Sequence, residues 1–296
     1  MAEGWYFIDP TGTSFQLDNK TLNRYFQAIG NIGMPPVENL DMVGPQQDGA
    51  TFQDFRLRPR IISFAMSVKT AALAALFSDH QTWLAAIKPF ATASIFRREM
   101  ADGSQYELDV RFHSGLDMKS NDMRGPTLQK YGVQLIAYDP VWRKLPLQSQ
   151  LFAISELTEL VFPMTFPIVW GGSLIDDTTI VAVAGTWETY PIITLTGPLT
   201  NPKVSNESTN QSIQLNYTVP AGRVVTIDLT PGIKTVKDDI GVNLIGYVST
   251  DSDLFGFHLG VPPEVSGGSN SIRVQTSGAT NDSEVNMSWY SRYIGI

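Results

Sequence analysis

Apolar and polar residues alternate strictly along several segments in the second half of the chain. The clearest segments cover residues 213–219, 225–229 and 285–289, where every second side chain is apolar. A period of two directs one set of side chains into a core and the other toward water, as in a half-buried β-strand. Turn-forming Pro, Gly and Asn residues separate these segments at intervals suited to a sandwich. The pattern predicts an all-β domain over residues 149–296.

The first half of the chain is predicted to be mainly β with one helix. Strands are predicted at residues 61–64 and 131–138, and the Asp-Gly turn at 102–103, between two apolar runs, predicts a β-hairpin. A helix is predicted to begin near Thr70 and to stop at Pro89. Its apolar stripe at helical spacing consists of Leu73, Leu76, Phe77, Leu84 and Ile87.

Two positions in this half are interpreted as interruptions. Asp79 marks a break or a second start within the helical pattern, and residues 144–150 resemble a linker. We therefore place a domain boundary near residue 148, with a first domain over residues 1–148.

The charge pattern limits the classes of partner. The net charge is −8 and the Lys and Arg residues form no basic stripe, whereas nucleic-acid binding needs clustered positive charge. We therefore expect no sequence-specific nucleic-acid partner.

Only 17% of residues are charged. Because interface cores are depleted in charge, this composition suits extensive subunit contacts, and it suits an ordinary uncharged β-protein surface equally well.

Cysteine is absent, which excludes disulfides and thiolate metal sites and fits folding in a reducing compartment. The start of the chain lacks the cationic and apolar pattern of a secretory signal. The longest apolar run, residues 71–77, is too short for a bilayer. We expect neither export by the usual route nor membrane insertion.

No group of residues has the spacing of a catalytic or metal site. His80, His113 and His258 lie far apart and in no zinc-binding spacing. The acidic pairs at 176–177 and 238–239 are candidates for glycoside hydrolysis, which needs two carboxyl groups flanking one bond. Neighbouring residues in an extended strand point to opposite faces, so these pairs are not expected to act together and are interpreted as turn residues. We expect no catalytic residue, no cofactor and no metal.

An ordered series of strand and turn motifs runs through nearly the whole chain. No single motif is diagnostic, but their order and spacing resemble the distal tail protein of siphophages, the bacteriophages with long non-contractile tails. Two Phe-Pro pairs, at 162–163 and 166–167, belong to this series. The other motif residues are Arg58, Pro59, Asp139, Pro140, Trp142, Arg143, Tyr190, Pro191, Gly197, Pro198, Asn201, Pro202, Asn216 and Trp289.

Two of these motif residues carry predictions of their own. Trp142 is expected to fill the core at the end of the first domain, because large aromatic side chains dominate cores. Arg143, next to it, is expected to pair with a carboxylate or a carbonyl group.

The resemblance implies a structural virion protein without enzymatic activity. Residues 1–148 would form a belt domain that assembles into a ring, expected to be a hexamer, and residues 149–296 a galectin-like β-sandwich. The implied partners are further copies of the chain, the tail tube protein, the tape-measure protein, the tail-associated tip protein and receptor-binding proteins. The implied location is the tail tip or baseplate of the virion, after assembly in the cytoplasm of the bacterial host.

The sequence departs from galectins at their sugar-binding residues. Galectins use a His, an Asn-Pro-Arg and a later Trp. This chain has Asn201-Pro202-Lys203 without a preceding His, and Trp187 lies before it. That sugar site is therefore expected to be absent. A carbohydrate-binding module or adhesin that uses the C-terminal sandwich is the alternative function, and a wall hydrolase is a third hypothesis.

Overall fold

The computed structural model describes residues 3–117, 127–152 and 174–296. Strands dominate these residues and one α-helix occurs among them, which confirms the predicted mainly β class. The chain divides into two compact units, unit 1 (Met1–Leu145 with Tyr293–Ile296) and unit 2 (Pro146–Arg292). The Phe-Pro pairs at 162–163 and 166–167 lie outside the described residues.

Unit 1 is built from antiparallel strands and one helix. Its elements are β1 (Gly4–Ile8), β2 (Ser14–Gln16), β3 (Arg24–Gly30), β4 (Val37–Met42), β5 (Thr51–Leu57), β6 (Arg60–Lys69), α1 (Leu73–Ile87), β7 (Ser94–Glu99), β8 (Gln105–Gly115), β9 (Leu128–Ala137) and the first residues of β10 (Trp142–Phe152). β7 and β8 form the predicted hairpin. β8 connects two sheets, because its first half pairs with β7 and β10 and its second half with β9.

Helix α1 covers the core of unit 1 with buried residues spaced by three and four positions. Leu76, His80, Trp83 and Ile87 are buried on this stripe. The ring of His80 stacks on that of Tyr131, with ring centres 5.5 Å apart. The helix is therefore fixed against β9 by aromatic as well as aliphatic contacts.

The structure corrects the predicted apolar stripe of α1. Leu73, Phe77 and Leu84 lie on a neighbouring stripe and are 43%, 43% and 39% exposed. The prediction left out Trp83 and the polar residue His80, which occupy core-facing positions.

The helix is also continuous across Asp79, where a break was predicted. Asp79 Oδ1 accepts a hydrogen bond from Arg24 Nη2 at 3.0 Å, which ties the helix to β3. An Asp inside a helix costs only about 0.7 kcal/mol relative to Ala. The helix can therefore continue through Asp79 while this residue forms its ion pair with Arg24.

Residues 144–150 form a strand and not the predicted linker. β10 runs from Trp142 to Phe152, and its pairing with β8 ends at Leu145. Pro146 has no N–H, but it lies beyond that pairing and therefore interrupts none of those bonds. The boundary between the two units falls inside β10, between Leu145 and Pro146.

A buried guanidinium joins three segments of unit 1. Arg60 in β6 is fully buried, and its Nη1 and Nη2 donate to the carbonyl oxygens of Asn31 at 3.1 Å and Ile294 at 2.6 Å. Its Cζ lies 5.9 Å from the ring centre of Trp142, which is fully buried as predicted and donates from Nε1 to Ile32 O. Burial lowers the pKa of Arg60 to about 10, so the group stays protonated at neutral pH. Arg60 thus fixes the last residues of the chain to unit 1.

Unit 2 is an antiparallel β-sandwich. Its elements after β10 are β11 (Leu174–Ala182), β12 (Ile192–Thr196), β13 (Leu199–Asn206), β14 (Gln211–Gln214), β15 (Thr218–Val219), β16 (Val224–Asp228), β17 (Thr235–Asp238), β18 (Ser269–Ser277) and β19 (Glu284–Tyr293), whose last residue belongs to unit 1. One sheet has the order β17-β16-β12-β19. The other has the order β11-β18-β13-β14, with β15 paired to β13.

Both sheets of unit 2 contribute alternate residues to one core. The period-two pattern predicted the inward positions correctly, because the apolar residues at every second position are the buried ones. The buried predicted residues are Ile213, Leu215, Val219, Val225, Ile227, Leu229, Ile272, Val274, Val285, Met287 and Trp289.

We predict that Arg60→Leu lowers the free energy of unfolding by about 3 kcal/mol, because each hydrogen bond from a charged donor contributes about 1.5 to 3 kcal/mol. Urea denaturation of the purified protein measures this change. Arg58→Leu is the matched control. Arg58 is 59% exposed in its surface ion pair with Glu38, so the loss there stays below about 1 kcal/mol. Equal losses in the two variants would contradict the role assigned to Arg60.

Candidate functional sites

Strands β4 and β5 form a separate two-stranded ribbon in unit 1. Among the described residues these two strands pair only with each other. Their register places Val37, Phe52 and Phe55 on one face, and Val37 and Phe52 are 47% and 60% exposed. A two-stranded ribbon is marginally stable alone in water, and its outer edges can pair with another chain. The β4–β5 ribbon is therefore a candidate surface for contacts between subunits.

Arg143 lies in a network of ion pairs on β8. Its Nη1 and Nη2 each lie 2.8 Å from a carboxylate oxygen of Asp109, and its Nε lies 3.1 Å from Glu107 Oε2. Glu107 also accepts a hydrogen bond from Arg97 Nε at 2.8 Å. Burial opposes the charge of Arg143, but the two carboxylates outweigh burial and raise its pKa. The predicted pairing of Arg143 with a carboxylate is confirmed, and the network holds β7, β8 and β10 together.

The remaining motif residues of unit 1 lie at turns between strands. Arg58 and Pro59 connect β5 to β6, and Arg58 Nη2 donates to Glu38 Oε1 at 2.6 Å. Asp139 and Pro140 lie between β9 and β10, where Asp139 Oδ1 accepts a hydrogen bond from the backbone N–H of Val141. Their contacts shape turns and do not gather around a common centre.

A cleft of about 420 Å³ opens on unit 2 beside β16. We call it the Tyr217 cleft. The residues that line it are Tyr217, Pro220, Arg223, Val225 and Asp238. Its walls combine an aromatic ring, aliphatic surface and charged groups, the mixture that is typical of small-molecule sites.

An aromatic pair and a set of ion pairs define the chemistry of the Tyr217 cleft. The ring of Tyr217 lies 5.1 Å from that of Tyr247, which is 49% exposed. Arg223 Nη2 lies 3.2 Å from Asp238 Oδ2 and 2.8 Å from Asp239 Oδ1. Asp238 is the last residue of β17, so the backbone is no longer extended after it and both carboxylates reach one guanidinium. The interpretation of Asp238 as a turn residue is confirmed, since its Oδ1 accepts hydrogen bonds from Ile240 N at 3.2 Å and Val242 N at 2.7 Å.

Gly197 supports one wall of the Tyr217 cleft. Its N–H donates to Arg223 O at 2.9 Å. A Cβ at this position would overlap with the carbonyl oxygen of Pro220, so only glycine allows the two segments to approach. The motif residue predicted from the sequence therefore fixes the backbone of two cleft residues.

Two motif asparagines hold the aromatic wall in the same way. Asn201 lies at a bulge in β13 with φ of 49°, a conformation that asparagine tolerates better than most residues, and its N–H donates to Tyr217 O at 3.1 Å. The N–H of Asn216 donates to Tyr247 O at 2.8 Å. Gly197 and Asn201 therefore bond the backbone of Arg223 and Tyr217, which line the cleft, whereas Asn216 bonds the backbone of Tyr247 beside it.

The other motif residues of unit 2 serve the fold. Trp289 is buried in the core. Pro191, Pro198 and Pro202 each offer a carbonyl oxygen to a donor from another segment. The donors are Leu229 N at 3.3 Å, Ser283 Oγ at 2.7 Å and Leu215 N at 2.9 Å, respectively.

A second polar cluster surrounds His258, which is 8% exposed. His258 Nε2 lies 2.9 Å from Glu264 Oε2 and 3.9 Å from Glu188 Oε2, and the hydroxyl of Tyr190 donates to Glu188 Oε1 at 2.7 Å. Lys234 Nζ lies 4.8 Å from the ring centre of Tyr190. We call these five residues the His258 cluster.

The hydrogen bonds of His258 determine its protonation state. Nδ1 lies 2.7 Å from Gly256 O, which can only accept, and Nε2 faces the carboxylate of Glu264, which also accepts when ionised. A neutral imidazole has one N–H, so both contacts are satisfied only by the protonated ring. Burial alone would lower the pKa of His258, but the bond to Gly256 and the carboxylates of Glu264 and Glu188 outweigh it and raise the pKa.

Two buried asparagines in unit 2 were missed by sequence reasoning. Asn206 Nδ2 donates to His258 O at 2.9 Å and to Asn270 Oδ1 at 3.0 Å, and Asn270 bonds both the N–H and the C=O of Gly260. Both side chains are fully buried. A signal was present, since Asn206 and Asn270 occupy inward positions of the period-two pattern in β13 and β18.

Other classes of site receive no support from the described residues. Within residues 3–117, 127–152 and 174–296, no three His, Asp or Glu side chains are arranged to hold a metal ion. In the same ranges no helix is both long and apolar enough to cross a membrane. Asp176, a candidate hydrolytic acid, is paired with Arg273 Nε at 2.8 Å.

Comparison with known proteins gives a family match over part of the chain and a structural match that spans nearly all of it. Residues 184–293 match the family model of the siphovirus-type tail component, C-terminal domain. The structure is similar to that of Dit from phage SPP1, described as a paradigm of the hub adsorption apparatus in phages that infect Gram-positive hosts. That match has a TM-score of 0.64 and 12% identity and covers 99% of each chain. Together these findings confirm the resemblance to siphophage distal tail proteins.

A weaker structural likeness is to a chain from a phage baseplate. A chain in the structure of the phage P2 baseplate, in its activated conformation with Ca, has a TM-score of 0.48 and 8% identity, and the match covers 97% of this chain and 98% of that chain. No curated protein matches the chain in sequence.

We predict that the protonated His258 stabilises unit 2 in a pH-dependent manner. Because the pKa of His258 is raised in the folded protein, the stabilisation is complete below its ordinary unfolded value of about 6.5 and is lost as pH rises through the folded pKa. Calorimetric melting of wild type and His258→Gln across this window should show a stability difference that shrinks toward alkaline pH. His113→Gln, at an exposed position of β8, is the control. A difference between wild type and His258→Gln that does not change with pH would contradict the assignment.

Proposed function

We propose that this chain is the ring-forming hub protein of a siphophage tail tip or baseplate. Unit 1 supplies the belt that closes the ring, expected to be a hexamer, and unit 2 is a galectin-like sandwich that decorates it. The ring joins the tail tube protein and the tape-measure protein to the tail-associated tip protein and to receptor-binding proteins, and takes part in host attachment. The protein acts through geometry and not through catalysis, and the virion is assembled in the host cytoplasm.

The observation that carries this proposal is the match of the whole fold to Dit of phage SPP1, over 99% of both chains. The family match over residues 184–293 supports it independently, because it rests on sequence and not on shape. A fold by itself does not determine function, so the ring and its partners require direct tests.

The β4–β5 ribbon is the surface of unit 1 that best suits contacts within the ring. Val37 and Phe52, on one face of the ribbon, are 47% and 60% exposed, whereas monomeric proteins rarely expose clustered large apolar side chains. Burial of such side chains against a neighbouring copy is favourable by about 25 cal/mol per Å² of apolar surface. In a closed ring each copy presents two different surfaces, one to each neighbour, so the ribbon requires a complementary surface on the next copy.

We predict that the purified protein forms closed rings with a central hole. Light scattering gives the mass of the assembly, and negative-stain images of the same peak show its symmetry. A mass of six chains is the expected result. If the isolated protein is a monomer that also fails to close into a ring on a tail tube or tip protein, the proposed function is wrong.

We predict that Phe52→Asp weakens ring formation by tenfold or more in the concentration needed for assembly, about 1.4 kcal/mol, while each subunit stays folded. A charge on the apolar face of the ribbon must be desolvated in the interface. Light scattering over a dilution series measures the effect, and circular dichroism confirms the fold. Phe255→Asp is the matched control, because Phe255 in unit 2 is 87% exposed and lies far from the ribbon in sequence. Unchanged assembly of Phe52→Asp would exclude the ribbon from the ring interface.

A further inference from the structure

We propose that the Tyr217 cleft of unit 2 binds a neutral saccharide. The side chains that line the cleft are not those of Asn201-Pro202-Lys203, the segment at which the sugar site of galectins is expected to be absent. The proposal rests on the cleft alone and not on the ring.

The size and shape of the cleft suit one or two sugar rings. Its volume of about 420 Å³ lies within the range of roughly 300 to 1,000 Å³ that is common for small-ligand sites. Val225 and Pro220 give it aliphatic surface, and Gly197 and Asn201 fix the backbone of its walls through the bonds described above. The cleft is therefore held open by the fold before any ligand binds, which reduces the ordering cost of binding.

The aromatic wall provides the apolar contact that a sugar requires. One face of a pyranose ring carries C–H groups that pack against an aromatic ring. Tyr217, which lines the cleft, provides such a ring, and Tyr247 packs beside it, with ring centres 5.1 Å apart and planes inclined by 56°. Tyr247 keeps 49% of its surface exposed, so a ligand can reach it without rearrangement of the core.

The polar wall provides donors and acceptors in one place. Arg223 Nη2 lies between Asp238 Oδ2 and Asp239 Oδ1, while Asp238 Oδ1 is held by the N–H groups of Ile240 at 3.2 Å and Val242 at 2.7 Å. A guanidinium donates to sugar hydroxyls and a carboxylate accepts from them, so neighbouring hydroxyls can bind to both groups together.

The charge balance of this wall selects against anions. One guanidinium faces two carboxylates, so a phosphate or an acidic sugar would meet net negative charge, whereas neutral hydroxyls meet paired donors and acceptors. This distinguishes the cleft from an anion site, in which Arg side chains outnumber acids.

Saturation-transfer NMR on the full chain tests the proposal with maltose, lactose and chitobiose as neutral probes and glucose 6-phosphate as the anionic probe. We expect transfer to at least one neutral sugar and weaker transfer to glucose 6-phosphate. Tyr247→Ala should raise the Kd of the bound sugar at least tenfold. Phe255→Ala, which removes another exposed aromatic ring of unit 2, should leave it unchanged.

Two outcomes would overturn the proposal. The first is no transfer to any of the three neutral sugars, and the second is binding that survives in Tyr247→Ala. Arg223→Gln provides a further test, since it removes the charged donor and should also weaken binding. Because Tyr247 is half exposed, its variant should fold, and circular dichroism verifies this. Light scattering of the same samples reports the ring separately, so failure of sugar binding and failure of ring formation are distinguishable.

Discussion

The connections between the strands of this protein depend on buried polar side chains that bind backbone groups. A buried backbone N–H or C=O must be paired, and the ladder bonds of a sheet cannot serve the segments that leave it. Arg60 pairs with Asn31 O and Ile294 O in unit 1, while Asn206 and Asn270 serve the segment around Gly260 in unit 2. Each of these side chains extends from a regular strand, so the rigid sheet determines the path of an irregular segment.

The same constraint explains which loops can hold an exposed side chain in a fixed position. Once its backbone groups are satisfied, a loop can expose its side chains without losing its shape. The segment that carries Phe255 is held by His258, Gln211 and Lys234 through main-chain bonds, and the Phe255 ring remains 87% exposed. The β4–β5 ribbon is the opposite case, because among the described residues its strands pair only with each other, and Val37, Phe52 and Phe55 on one of its faces stay exposed.

The sequence correctly predicted the features that depend on hydrophobic periodicity and on turn-forming residues. Strict alternation identified the inward residues of unit 2, and the Asp-Gly turn identified the β7–β8 hairpin, because both signals are local. The stripe of α1 was assigned wrongly because His80 is a polar residue at a core position and is stabilised by Tyr131, which lies 51 residues away in sequence (131 − 80). The end of β10 was mistaken for a linker because β10 pairs with β19 as well as with β8, and strand pairing is a tertiary effect that overrides the turn preference of Pro146. The cleft could not be predicted, since it requires the relative positions of β16, β17 and the residues on either side of β15.

The residues in and beside the cleft fall into two groups, one with a structural role and one suited to ligand binding. Gly197, Asn201 and Asn216 act through their backbone, so the fold alone explains why those residue types occur there. Arg223 and Tyr247 differ from these three residues, because what they present is a side chain and not a backbone group. Tyr247 covers little core at 49% exposure, and the Arg223 side chain is 35% exposed while it pairs with two carboxylates near the surface, a contact that contributes about 1 kcal/mol or less to stability. Stability therefore gives a weak reason for an aromatic ring and a guanidinium at these positions, and recognition of a ligand with both an apolar face and hydroxyl groups gives a stronger one.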